Sequence, residues 1–358
     1  MIRIVAAEAT RVPFRLTQAY RIAGRSFSSV VNIILKVVTG DGRSGLGCAA
    51  PAEAVTGESP ESALQAMNDR LIPILRESDG GDLEVIERHA CEAAPANPGA
   101  RAALDIALHD LRAQRAGVPL AELLGRRRRH LPTSITLGIS EDLEATVSRA
   151  RDKVASGYRI LKIKIGEDLE ADTRLLHALR HAVGPDILLR VDANQGYSEA
   201  QTERFLSETV SIDIELVEQP TPANDREALI RLGRQSAVPI MADEALVTLA
   251  DAEAFSAAGS PPLVNIKLMK TGGILPAGRI AACTASAGIG AMLGCNDESR
   301  ISIAAALHFS LAAPNVERAD LDGHLDLDND VARGGVEIRD GYLEISEDLP
   351  GLGVSVDL

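Results

Sequence analysis

The sequence predicts an α/β chain in which a parallel β/α barrel carries an α+β capping domain built from both chain ends. Three observations predict it. Short apolar strands recur at intervals of 24–28 residues, polar residues collect at their ends, and the pattern changes on either side of the run. At 358 residues the chain exceeds one minimal core and suits such a barrel.

Residues 1–125 read as the α+β cap. "MIRIVAAEATRVPF" and "SSVVNIILKVVTGDGRSGLGCAA" read as strands, the second broken by a Gly-Asp-Gly hairpin signal. The polar "RLTQAYRIAGRS" between them reads as a loop. "ESALQAMNDRLIPIL" and "GARAALDIALHDLRAQRAG" carry apolar residues at three- and four-residue intervals and read as helices, the second capped by Gly117 with Pro119 just beyond.

Residues 126–322 read as the barrel. Strands at "TSITLG", "ILKIKI", "ILLRVDAN", "IELVEQP", "VPIMADE", "LVNIKLM", "IGAMLG" and a last one ending at Asp320 make eight, with helix-like stretches between them. Lys164, Asp192, Glu218, Asp243, Lys267, Gly294 and Asp320 mark their ends at near-equal steps, as repeated βα units require. Residues 323–358 revert to hairpin-like strands and read as a return to the cap.

Composition excludes some partners. A net charge of −14 argues against nucleic acid and anionic membranes, which want a basic surface. The run Arg126–Arg129 reads as a solvated turn between domains. Cys48, Cys91, Cys283 and Cys295 lack CxxC spacing, so neither zinc nor a disulfide framework is suggested. With no signal pattern at the N-terminus and no spanning apolar run, the cytoplasm is the expected location.

In such a barrel the active site lies at the C-terminal strand ends. Asp192, Glu218 and Asp243 close three successive strands there. Neighbouring strands lie about 4.8 Å apart, so three carboxylates at one level crowd together and repel. A hard divalent cation relieves that, and carboxylate oxygens suit Mg²⁺. The alternative is that each acid caps a helix or pairs with an arginine. Within "RILKIKIGED", Lys162 and Lys164 share one strand face, and Lys267 lies on the other side of the acids. The three lysines either balance the carboxylates or set two ammonium groups across a substrate, one with a pKa lowered by a metal and a neighbouring lysine.

"KIKIG", "RVDANQGY", "LVEQP", "MADE" and "VNIKLMKTGG" at these spacings resemble the enolase superfamily, in its muconate-lactonizing-enzyme subgroup, over nearly the whole chain. The resemblance implies a (β/α)7β TIM-like barrel with a capping domain. It implies Mg²⁺ held by Asp192, Glu218 and Asp243, an acid/base pair of Lys164 and Lys267, and Lys162 beside a substrate carboxylate. Two lysines on opposite faces would remove an α-proton from one side and return it from the other through an enediolate, which inverts the centre.

Asp320 and Asp322 in "ERADLDGHLDL" resemble the DxD of dipeptide epimerases, which grips a substrate ammonium; a turn rich in acids is the plainer reading. Arg25 is similar in position to an arginine that meets acidic side chains in Ala-Glu epimerases. Asn296 and Asp297 in "GCNDES" depart from those enzymes, and with Glu53 they suggest cationic or polar dipeptides. The expectation is a Mg²⁺-dependent dipeptide epimerase acting on a small-molecule dipeptide, with self-association left open. An N-acylamino acid racemase, an o-succinylbenzoate synthase and a catalytically silent scaffold are the alternatives. His109 and His308 read as packed or surface residues, and no GxGxxG follows a strand.

Overall fold

Alternation along "NIILKVV" leaves two apolar sheet faces to bury, and the cap is organised around them. The structure, a computed structural model, describes residues 2–22 and 25–357, apart from the side chains at positions 20, 22, 25 and 77. Strands β1 (Ile4–Ile22), β2 (Arg25–Thr39) and β3 (Ser44–Ala49) form an antiparallel sheet. Ile33, Leu35 and Val37 pack against the cap helices, while Phe14, Ile34 and Cys48 face the barrel core. Helix Pro98–Ala116 lies directly on β3 and ends at Gly117 in the left-handed region. The glycines of "GDGRSGLG" permit that approach, because a Cβ at Gly47 would run into the Ala103 carbonyl.

Of the stretch 15–26, read as a loop, the described residues 15–22 and 25–26 instead belong to the β1–β2 hairpin, with a register shift between Arg15 and Tyr20. A two-stranded ribbon with little buried face shows no apolar alternation, which is why sequence patterning missed it.

The barrel strands are β4 (Ile135–Leu137), β5 (Ile160–Lys164), β6 (Leu188–Asp192), β7 (Ile214–Glu218), β8 (Ile240–Ala242), β9 (Leu263–Ile266), β10 (Gly290–Gly294) and β11 (Val316–Asp320). They pair in parallel in chain order. The Ser134 amide donates to the Ala319 carbonyl at 3.1 Å, joining first strand to last. Beyond β11, Leu327–Asp328 adds a fourth strand to the cap sheet on β1. Farther on, the hairpin of Glu337–Arg339 and Tyr342–Glu344 pairs with His130–Pro132, which leads into β4. No helix among the described residues is long and apolar enough to cross a membrane.

The arginine run is only partly the solvated turn expected: Arg127 and Arg129 are exposed, whereas Arg126 and Arg128 are not. Arg126 pairs with Asp348, and Arg128 donates to the Val316, Ala313 and Pro314 carbonyls, stapling the chain between helix Arg300–Ala312 and β11. His308, buried in that helix, accepts from the Ala121 amide at Nδ1 (2.9 Å) while Nε2 faces the Leu352 carbonyl at 3.4 Å. Both contacts need the neutral ring, and burial pushes its pKa down to about 4. The unfolded ring, near pH 6.5, binds its proton first, so this stability is full above about pH 6.5 and is lost as pH falls toward 4. The expected loss is on the order of 3 kcal/mol. Urea titrations should show a shallower acid-side fall for His308→Gln; parallel falls would contradict the assignment.

Candidate active site

The registers of the barrel bring the polar strand ends to one level. Lys164 on β5 pairs with Asp192 on β6, which pairs with Glu218 on β7. Leu161 and Ile163 turn outward into the apolar core, so Lys162 and Lys164 both point into the barrel. Asp192, Glu218 and Asp243 are fully buried, and each offers an oxygen within 4.8 Å of the others'.

Four lysines surround these acids. Lys164 Nζ donates to Asp192 Oδ2 at 2.8 Å and to Asn194 Oδ1 at 3.1 Å. Lys267 Nζ donates to Asp243 Oδ2 at 2.8 Å. Lys162 Nζ lies 3.0 Å from Asp192, 2.8 Å from Glu218 and 2.6 Å from Asp320. Lys270, which sequence reading missed, is fully buried and donates to a side-chain oxygen and the carbonyl of Asp243 and to the Asn265 carbonyl. Its position three residues after Lys267 was visible, but the turn that brings it back onto the site was not.

These pairs set the charges. Burial would lower the pKa of Lys267, yet the Asp243 carboxylate outweighs it and raises it. Burial raises Asp192 and Asp243, but Lys162 and Lys164 bring Asp192 down and Lys267 and Lys270 bring Asp243 down. Glu218 is raised by burial and by Asp192. Its Oε1 accepts from Asn265 Nδ2 at 2.6 Å; Oε2 is buried with no hydrogen bond and lies 2.8 Å from the Lys162 ammonium.

Strained turns hold the acids in place. Asn194 (φ 41°), Gln195 (φ 69°) and Gln219 (φ 35°) have positive φ although none is glycine. Gln219 Oε1 accepts from the Asp243 and Ala245 amides at 2.8 and 3.1 Å, tying β7 to the end of β8. Gly166 sits against the Ala193 carbonyl, where any Cβ would collide. The motifs "VDANQG" and "VEQP" are therefore read by backbone geometry as much as by their carboxylates.

A cavity of about 600 Å³ opens above the acids. Lys164, Lys267, Asp320, Asp322, Asp297 and Glu53 all line it. Asp320 has one partner at each oxygen, Oδ2 with Lys162 and Oδ1 accepting from Ser134 Oγ at 2.7 Å, and each oxygen can accept a second hydrogen bond. Asp322 lies past the end of β11 rather than on its face and accepts from the Thr136 amide at 2.7 Å. Its pKa is pushed up to about 7 by burial, Asp320 and Asp326. Asp326, also on the cavity wall, was not singled out from sequence. Asn296 lines the cavity too, with its side-chain amide on the Ala50 carbonyl at 3.2 Å. The Arg25 side chain lies outside the described residues. The hairpin closes over the mouth: Arg21 pairs with Glu141 and Glu167, and its carbonyl accepts from the Ile139 amide at 3.0 Å.

Residues 4–125 match the mandelate racemase / muconate lactonizing enzyme N-terminal domain, and residues 145–358 match the enolase C-terminal domain-like family. The chain belongs to the enolase superfamily. Within the superfamily it is similar to the L-Lys-D/L-Arg epimerase of Methylococcus capsulatus, at 45% identity over 95% of this chain and 96% of that one. The crystal structure of the dipeptide epimerase from Methylococcus capsulatus complexed with Mg and L-Arg-D-Lys superposes with a TM-score of 0.92 at 44% identity, covering 98% and 99% of the chains. The substrate-liganded L-Ala-D/L-Glu epimerase of Bacillus subtilis superposes at 0.96 with 32% identity, covering 99% and 100%. The expected (β/α) barrel with its cap agrees with this superfamily membership.

Proposed function

We propose that this superfamily member is a Mg²⁺-dependent dipeptide epimerase, an isomerase that inverts the α-carbon of the C-terminal residue and prefers cationic or polar dipeptides. The observation that carries it is the placement of two lysines. β5 and β9 stand four strands apart in an eight-stranded barrel, so Lys164 and Lys267 reach the cavity from opposite walls with the acids between them. A proton taken on one side and returned on the other inverts a centre held between the two ammonium groups.

The donor set fits Mg²⁺: three buried carboxylates, no histidine or cysteine, and at Glu218 an oxygen without a hydrogen bond. When bound by Asp192, Glu218 and Asp243, the ion would supply positive charge to offset what builds on the substrate carboxylate as the α-proton leaves. Lys162, held protonated by Asp192, Asp320 and Glu218 despite its burial, adds a fixed charge beside that carboxylate. Asp320 and Asp322 bind the α-ammonium. Asp297, Asn296 and Glu53 line the end of the cavity that takes the N-terminal side chain, and Arg25 is assigned to the hairpin over the C-terminal residue. A cap of 1–125, a barrel of 126–322, a returning segment of 323–358 and a cytoplasmic location belong to the same reading.

Asp322→Asn tests it, because the amide keeps an acceptor for Thr136 while removing the charge. A charged hydrogen bond contributes about 1.5–3 kcal/mol, so KM for the dipeptide should rise roughly 10- to 150-fold. An unchanged KM would move the substrate to an N-acylamino acid, which has no ammonium to hold.

A further inference from the structure

Where the barrel-facing side of the cap sheet is buried, it is apolar except at one place. Even-numbered residues of the three strands, among them Val12, Phe14, Ile34, Leu46 and Cys48, pack into the barrel core. Asn32 shares that parity, pairs across the sheet with Val12, and is 1% exposed. A buried amide on an apolar face is costly unless its donor and acceptor are both used.

Both are used, by one loop of the barrel. Asn32 Nδ2 donates to the Asp297 carbonyl at 3.1 Å, and Oδ1 accepts from the Ser299 amide at 2.8 Å. The two contacts straddle Glu298 and read the loop's backbone in one orientation only, since a flipped amide would set donor against donor. Around them, Asp330 accepts from Ser299 Oγ at 2.8 Å and the Arg300 amide at 2.7 Å, and Glu298 accepts from the Asn296 amide at 2.8 Å. The loop after β10 is thereby clamped from the cap on one side and from the returning segment on the other. Asp297, at its centre, lines the cavity.

We infer that Asn32 is a positioning residue for substrate choice: it seats the cap on the barrel in one register and aims Asp297 at the N-terminal side chain of the dipeptide. This rests on the cationic-dipeptide reading above. A single buried amide is the kind of group that specifies one mating of two otherwise apolar surfaces. Here the mating sets the outline of the specificity pocket. Aspartate at position 32 would keep the volume and the Ser299 contact but oppose an oxygen to the Asp297 carbonyl.

The test compares L-Lys-L-Arg with L-Ala-L-Arg, which differ only in the N-terminal side chain, in the Mg²⁺-loaded full-length enzyme. Asn32→Asp should lower the ratio of kcat/KM for the lysyl over the alanyl dipeptide at least tenfold, through KM of the lysyl substrate. Asp297→Asn should lower it similarly, and combining the two should change it less than twofold further, as groups acting through one another do. Asn32→Ser serves the same comparison should Asn32→Asp not fold. Equal losses on both dipeptides, or additive effects in the double variant, would overturn the inference and leave Asn32 a packing residue. A wild-type enzyme indifferent to the two dipeptides would instead contradict the cationic reading itself, and the role of Asn32 with it.

Discussion

Lys267→Ala is expected to cut epimerisation by about 10³-fold or more while leaving the barrel folded. Positioned general acid–base catalysis contributes roughly 10²–10⁴-fold, and inversion needs both partners in every turnover. Asp243 does not become an unpaired buried charge in this variant, because Lys270 still donates to it. Lys164→Ala should lose epimerisation to a similar extent, with Lys162 still against Asp192. The two variants should differ in one respect. Each retains the lysine that faces one epimer, so each should still exchange the α-proton of that epimer with solvent without inverting it. Chiral chromatography and deuterium content, measured together on each pure diastereomer, check this. Full epimerisation in either variant would contradict the two-base arrangement.

Removing Mg²⁺ should abolish turnover, by at least about 10³-fold, because several kcal/mol of stabilisation of developing negative charge would go with it. Folding should survive, since each of the three acids keeps an ammonium partner in its absence: Lys162 and Lys164 at Asp192, Lys162 at Glu218, and Lys267 and Lys270 at Asp243. Chelator-dialysed enzyme should show a native circular dichroism spectrum and recover activity with Mg²⁺. Added Mg²⁺ should also raise Tm, as any ligand bound only by the folded state does. Asp243→Asn should weaken that Tm response. Persistent activity in the dialysed enzyme, or a Tm indifferent to Mg²⁺, would remove the ion from the account.

The barrel was legible because its βα period repeats and because inward polar ends are rare in otherwise apolar strands. Asp192, Glu218, Asp243 and the lysine parity of β5 could all be read in that way. The end of the β1–β2 hairpin could not, since neither of its faces is apolar enough to alternate. Lys270 was hidden for a different reason: Leu268–Thr271 turns immediately after β9, and only that turn returns its ammonium to Asp243. Asp322 was placed on a strand that ends two residues earlier, although it still lines the cavity. The Arg126–Arg129 run illustrates the limit of charge patterning, which cannot tell solvated guanidinium groups from ones that satisfy backbone carbonyls.

Proton exchange at the α-carbon of a dipeptide is read directly by solvent deuterium. The wild-type protein with Mg²⁺ in D₂O is incubated with pooled L,L-dipeptides and followed by mass spectrometry. Uptake of one deuterium is expected, confined to certain dipeptides and strongest where the N-terminal residue is lysine or arginine. Folded, Mg²⁺-loaded protein that exchanges no dipeptide, yet exchanges N-acylamino acids, would contradict it.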